Sequence, residues 1–423
     1  MSNLVSVSNL IAKSTTEFLD QRSPIFNSGN RVFQETFNQT NYATGGAINI
    51  KVPGYPDVQK GLTTTAQDLQ DLVLAYEITP DADMYSVVRN LDLSYMRFNI
   101  LGGDSAITKP VAKAIVDNYG YPAFLSIEAE IEKEASTRLS QNGYMTPIDS
   151  IDKLGQINTF SAISQIGAMA DTFKFDSQRY LMMNVDDMRK VSDSLQNMFN
   201  TSVNNAITMG GKLGGKAFKG IDFAGFDLWQ CPDQVIHRAG PAYASNSTLT
   251  VDTVSADGTT ITFSGLPSTT SILFNAGDMI SIPSVYLVRK LGYQITQYKL
   301  VVTAAADAYG DGAGNCTVTL PYPLAASGEH TTVSAIPSNG AEAKVYPDHK
   351  LNFAYVKSGL SVAPIMLEDI YGAVNSNVKG DNGIPVKVTM QGSVLPYANN
   401  FRTTTYVGIR AFAPYIIVVP SAL

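Results

Sequence analysis

The sequence predicts an α+β protein with a small β-barrel or sandwich inserted into it, on three observations. Helical and strand periods alternate from Ile107 to Phe199, the pattern of a mixed layer. From Ser245 to Val345 the text turns to Thr, Val, Ile, Gly and Asp, in short alternating runs separated by Gly/Asp turns. Mixed text resumes at Leu351, with strands placed to rejoin the earlier layer. A chain of 423 residues has the length of two or three domains.

The stretch from Val5 to about Phe37 spaces Leu10, Ile11, Phe18 and Leu19 among polar residues and Pro24, an amphipathic arm with no core of its own. Beyond Gly45-Gly46, an alternating run puts Ile48, Ile50 and Val52 on one face, and Leu72, Leu74, Tyr76 and Ile78 repeat the pattern before Pro80. These are the two arms of a hairpin with a polar tip from Gly54 to Asp71. The tip reads either as a surface loop or as part of a projection that a neighbouring molecule covers, because an isolated hairpin is marginal in water.

A long helix opens at Ile107-Thr108-Lys109-Pro110, with Thr108 as N-cap and Pro110 in the first turn. It meets Gly120-Tyr121-Pro122, where Pro122 should kink or break it, and resumes from Ala123 to about Leu139. Phe124, Ile127, Ile131, Ala135 and Leu139 form one stripe, while Glu128, Glu132, Lys133 and Arg138 are expected to face out, with Glu134 and Arg138 spaced as an ion pair. A second helix follows over Thr159–Ala170, a buried strand over Arg179–Asn184 and a further helix over Val185–Phe199. In the β-rich stretch, strands are expected at Thr248–Val251, Thr260–Phe263, Met279–Ile282, Tyr298–Val302 and Thr317–Leu320, with turns at Asp257-Gly258 and Gly310–Asn315. Val386, Val388, Met390, Tyr406, Ile409 and the run from Tyr415 to Val419 supply the closing strands.

Apolar residues make up 44% and charged residues only 16%, which rules out disorder as the whole answer and leaves ample material for cores and interfaces. No apolar run approaches the length of a spanning helix, and the start at Met1-Ser2-Asn3-Leu4 has no basic region followed by an apolar core, so neither membrane insertion nor export is expected. Cys231 and Cys316 alone make no disulfide framework, and the default compartment is reducing. With 30 basic and 37 acidic residues the net charge is −7, the wrong sign for a protein that grips phosphates.

The search for chemistry returns little. Gly210–Ala217 fits a phosphate-binding loop except at its last position, where Ala217 lacks the hydroxyl that magnesium needs. Asp307, Asp311 and Gly312 suggest a calcium loop, but Tyr309 and Val318 occupy ligand positions, so a turn is expected. His237, His330 and His349 have no second ligand at metal spacing, and Cys231 with His237 is two ligands, not a site. Asp81, Asp83, Asp186 and Asp187 read as turn or helix N-terminal residues rather than as acid/base pairs. No Gly-x-Ser-x-Gly elbow occurs. Neither catalysis nor a cofactor is expected, and a chain with an arm, a projection and an inserted β-module is expected to be covered by copies of itself.

The order of these parts resembles the major capsid (coat) proteins of tailed bacteriophages, in particular the P-twenty-two-like podovirus coat family, whose fold is named for phage HK ninety-seven. Gly45-Gly46 to Ile78 resembles the extended loop, and Asp104 to Leu139 the spine helix. Gly220-Ile221-Asp222-Phe223-Ala224-Gly225-Phe226-Asp227-Leu228-Trp229, followed by His237 and Gly240, is similar to the run leaving the axial domain. Ala276–Ile282, Gln297–Ala304 and Gly314–Val318 resemble the inserted β-barrel, and Leu351–Lys357 with Ala363-Pro364 the return. Two features depart from the family: Arg402 is followed by Thr403-Thr404-Thr405 where an Arg-x-Asp pattern is usual, and Gly120-Tyr121-Pro122 interrupts the spine helix.

The resemblance implies an arm over 1–44, an extended hairpin over 45–80, a peripheral domain with spine helix over 81–150, an axial domain over 151–231 and 351–423 with peripheral return, and the inserted barrel over 232–350. It implies hexamers and pentamers of an icosahedral head assembled in the bacterial cytoplasm, with a scaffolding protein, a portal and a decoration protein as partners and double-stranded DNA held without sequence-specific contact. Contacts between subunits are expected at Tyr55, Asp57 and Lys60 in the hairpin tip and at Asp252, Asp257, Arg289 and Lys290 on the insertion. Lys60 has no evident partner for a covalent crosslink, so locking is expected to be noncovalent. A β-rich surface or carbohydrate-binding protein is the alternative, opposed by the single Trp229, and a nucleotide-dependent enzyme is opposed by Ala217.

Overall fold

The computed structural model describes residues 8–17, 24–33, 46–52, 70–91, 116–148, 159–175, 178–196, 221–366, 369–371, 373–379, 384–393 and 398–423, with Lys60, Ala66 and Ile157 as single positions. The tip residues Tyr55 and Asp57, the segment Ile107–Pro110 and the glycine loop Gly210–Ala217 lie outside the described residues. The chain divides into two units.

The alternating runs form β1 (Gly46–Val52) and β2 (Leu72–Ile78), which pair with each other and with no other strand among the described residues. Tyr76 and Ile78 at one end and Val52 at the other are buried, whereas Ile48, Ile50, Leu72 and Leu74 between them are only half-buried.

The first unit takes its residues from Met1–Ile48, Tyr76–Ala135 and Ser361–Ile409. Its sheet combines β3 (Met84–Leu91) with four strands from late in the chain. The long late strand, residues 398–411, stands in the middle: Thr404 pairs with Ser86 of β3 on one flank and with Lys387 on the other. The arm does find something to lie on, since helical residues 8–17 pack Ile11 and Ala12 against Val388, Met390, Phe401 and Tyr119. Tyr119 meets the Phe401 ring edge-on at 5.4 Å, and Arg89 donates to the Asn118 carbonyl at 2.8 Å.

Tyr119 lies in a turn of π-helix, Val116–Gly120, from which α1 (Tyr121–Gln141) continues. Pro122 therefore stands at the junction of the π-turn and the α-helix, an irregularity of the kind that accommodates a missing backbone N–H within a continuing helix. The apolar stripe from Phe124 to Leu139 is buried as its spacing predicts. Glu128 and Glu132 are not outward-facing, however: both are buried, and the Glu132 carboxylate accepts the Ile25 backbone N–H at 3.2 Å. A helix covered on a second side by another segment defeats an inside/outside reading of its charges. Lys133 does face water and pairs with Glu130.

The second unit takes its residues from Asn49–Ala75, Ser136–Leu360 and Arg410–Leu423. α2 (Phe160–Thr172) begins at Thr159, whose hydroxyl accepts the Ala162 N–H, and precedes the buried strand β4 (Arg179–Asn184). β4 leads into α3 (Val185–Gln196), then to β5 (Ile221–Phe223) and β6 (Phe226–Cys231), and β6 returns parallel to β4. Ala224 and Gly225, both at positive φ, make the two-residue turn that a right-twisted hairpin favours.

After β7 (Ile236–His237) the chain leaves this sheet. It forms β8 (Thr250–Val254), β9 (Thr260–Ser264), β10 (Ile272–Phe274), β11 (Met279–Arg289), β12 (Gln294–Thr303), β13 (Ala308–Tyr309), β14 (Cys316–Thr319) and β15 (Lys344–Val345). They pair as β12-β11-β15, β14-β9-β8 and β10-β13. The chain then rejoins the large sheet as β16 (His349–Val356), between β4 and the last strand. Phe263, Phe274, Ile280 and Val302 of this excursion share one hydrophobic cluster with Leu181, Met183, Ala354 and Ile417 of the large sheet.

The remaining strands are β17 (Leu360–Ile365), β18 (Val374–Lys379), β19 (Pro385–Ser393), β20 (Ala398–Ala411) and β21 (Ile416–Ala422). Only β21 rejoins the layer containing β4. β17 to β20 build the first unit's sheet with β3 instead, in the order β17-β20-β19-β18.

Candidate functional site

The densest polar arrangement in the described residues sits where the excursion starts and ends. β7 pairs with β16 so that His237 lies opposite His349, their rings 5.1 Å apart. His237 Nε2 donates to Asp278 Oδ1 at 2.8 Å, and Asp278, fully buried, also accepts the backbone N–H groups of Gly240 and Asn275. Gly277, at φ +94, makes this turn possible: a Cβ there would lie 2.6 Å from Ser140 Oγ and 3.3 Å from the His237 ring. His349 Nδ1 donates to the Pro347 carbonyl at 2.7 Å, leaving Nε2 buried with no partner among the described residues. Burial, reinforced by His237, pushes the His349 imidazole down to about 4, against the pull of the Pro347 bond. One residue further out, Arg238 binds Asp348 at 2.6 Å, and this bond with the Ala239 N–H holds the Asp348 carboxyl below the usual carboxylate range. These groups clamp the two ends of a long excursion.

A second buried network ties α3 to the same sheet. Asn352, in the middle of β16, accepts the Asn184 N–H and donates to Asp187, which also takes the Ser421 hydroxyl. Asp186 pairs with Lys350 at 3.2 Å. The expectation of N-terminal helix acids fits both positions, but Asp187 is in addition fully buried.

Among the residues expected at subunit contacts, Lys60 and Asp257 are exposed. Asp257 accepts the Thr259 N–H and hydroxyl, and hydrogen bonds from Ser255 and Thr259 hold its carboxyl down to about 2. Asp252 is half-buried and bonds the Asn339 side chain at 3.1 Å, and Arg289 Nε donates to the Leu291 carbonyl. Lys290 points inward onto Tyr322. The sequence thus groups residues that the fold spends differently, and it misses the clamp, because partners so distant in sequence have no motif spacing.

Trp229 lies in β6, half-buried and paired with Met182, not on an open platform. Asp311 accepts the N–H groups of Ala313 and Asn315, the turn expected there. Arg402 reaches Ser86 at 3.2 Å, and no carboxylate is described beside it. Among the described residues no three His, Cys, Asp or Glu side chains group as metal ligands, and no helix is long and apolar enough to cross a membrane.

No family model matches the chain, and no curated protein matches it. Solved structures do. A chain of Mycobacterium phage Che8 is similar over 94% of this chain and 91% of its own, with a TM-score of 0.43 and 10% identity. The acidic stable capsid structure of Helicobacter pylori bacteriophage KHP30 gives 95% and 91%, a TM-score of 0.41 and 8% identity. The capsid of Ralstonia phage GP4 gives 89% and 84%, a TM-score of 0.37 and 7% identity.

Proposed function

We propose that this chain is the major coat protein of a tailed phage, assembling as hexamers and pentamers of an icosahedral head around double-stranded DNA. The observation that carries the reading is the β1–β2 hairpin, which has no third strand among the described residues and whose Ile48, Ile50, Leu72 and Leu74 are only half-covered by its own chain. A surface of that kind is completed by a sibling in a symmetric assembly. The order of elements supports it: an arm, a hairpin, a helix of 21 residues, a mixed sheet, a β-rich excursion and a return strand, as the family resemblance implies. In this reading the excursion is the inserted barrel, α1 belongs to the spine helix, and a scaffolding protein, a portal and a decoration protein are the partners.

The acidic balance suits a container, since a closed wall confines DNA without neutralising its phosphates. Contacts through Tyr55, Asp57, Lys60, Asp252, Asp257 and Arg289 remain the proposed links between subunits. Negative-stain microscopy and sedimentation of the purified chain, alone and with its scaffold, test the reading. Shells or rings are expected, and dispersed monomers at high concentration under both conditions would overturn it.

A further inference from the structure

Lys290 stands in the turn between β11 and β12 and lines a cavity of about 300 Å³ within the second unit. The walls are largely apolar, with Tyr144, Phe173, Phe175 and Tyr415 as their aromatic part, and Lys174 adds a second ammonium. Among the described residues no acidic side chain lines it. Lys290 Nζ donates to the Tyr322 hydroxyl at 2.6 Å and lies 4.3 Å from that ring's centroid. An ammonium has three donors, and only this one acceptor is described; no carboxylate pairs with it among the described residues. A charge taken this far out of water is normally paired, because desolvation without a counter-ion is costly. Burial pushes the Lys290 amine down to about 8, which leaves it cationic at neutral pH.

We propose that this cavity binds a small carboxylate with an apolar or aromatic body, its anionic end on the Lys290 ammonium and its body against the aromatic walls. The volume is at the lower end of small-ligand sites and fits one ring with its carboxylate. Surrounding the ligand with apolar walls strengthens the ion pair, since little water competes for the ammonium. This inference is independent of the coat-protein reading.

Benzoate is the probe, with benzyl alcohol as its uncharged analogue, titrated into the full chain by calorimetry. Benzoate is expected to bind, and Lys290→Met to weaken it by about tenfold or more while leaving benzyl alcohol unaffected. Acetic anhydride labelling of the unmutated chain, read by peptide mass spectrometry, gives a measure that does not depend on a variant folding: benzoate should protect Lys290 and spare other lysines from change. Equal benzoate affinity in Lys290→Met, or labelling of Lys290 indifferent to benzoate, would overturn the proposal. So would a Lys290 that is protected only by self-association, with benzoate excluded, because the cavity would then belong to a contact between copies.

Discussion

The excursion between β7 and β16 and the β1–β2 hairpin are both β-structure leaving a larger body, yet they treat their surfaces in opposite ways. The excursion closes on itself: Asp257 and Asp311 satisfy the N–H groups of their own turns, and Asp278 satisfies three donors where the excursion folds back. Gly258, at φ +69, lets the Asp257 turn pass so close to Leu324 that a Cβ would lie 2.1 Å from its carbonyl oxygen. The hairpin has no such self-sufficiency. Its second arm is held at the start, where Gln70 bonds Glu329 and His330, but its apolar face is left half-covered. A region that satisfies its own groups contributes stability, whereas a region that leaves apolar surface in contact with water favours association.

That contrast is sharpest in assembly. Leu74→Asp, on the half-buried face of β2, should abolish particle formation in sedimentation while shifting the urea midpoint of the monomer little. If it unfolds the chain instead, the hairpin is part of the core and the contrast fails. Asp278→Ala should do the reverse, costing on the order of 3 kcal/mol in urea melts, because His237 and two backbone N–H groups lose a buried acceptor.

The clamp also gives a pH dependence. His349 has a folded value near 4 against an ordinary value of 6.5, so the unfolded chain takes up its proton first as pH falls. Its contribution is fully present above about 6.5 and is lost as pH falls toward 4, on the order of 3 kcal/mol in all. Thermal melts across that window should show the loss, and His349→Phe should flatten it. The smallest effect belongs to Thr159→Ala, which removes the α2 N-cap and should cost about 1 kcal/mol wherever assembly stands.

Local pattern carried much of the fold. The strict alternation at Ile48–Val52 and Leu72–Ile78, the stripe from Phe124 to Leu139 and the turn at Asp257-Gly258 all depend on neighbours within a few residues, and all stand where their spacing puts them. Periodicity places Glu132 outward because it registers one covered face, and the segment bearing Ile25 covers another. The site fared worse than the fold. Lys290, grouped with surface charges, turns onto Tyr322, and His237 and His349 meet only because β7 pairs with β16.

The sequence by itself determined where the strongly periodic strands and helices fall, how their apolar faces are spaced, and that a β-rich segment interrupts a mixed layer, since these are consequences of side-chain period and backbone preference; short or weakly patterned strands such as β3, β10 and β18 have no such signal. Tertiary structure alone decided that β21 joins β16 while β20 joins β3, that Asp278 ties the start of the excursion to the turn at Asn275, and that Lys290 lines a cavity. Pairing between distant strands is selected by how whole faces pack together, and that free energy has no local signature in the chain.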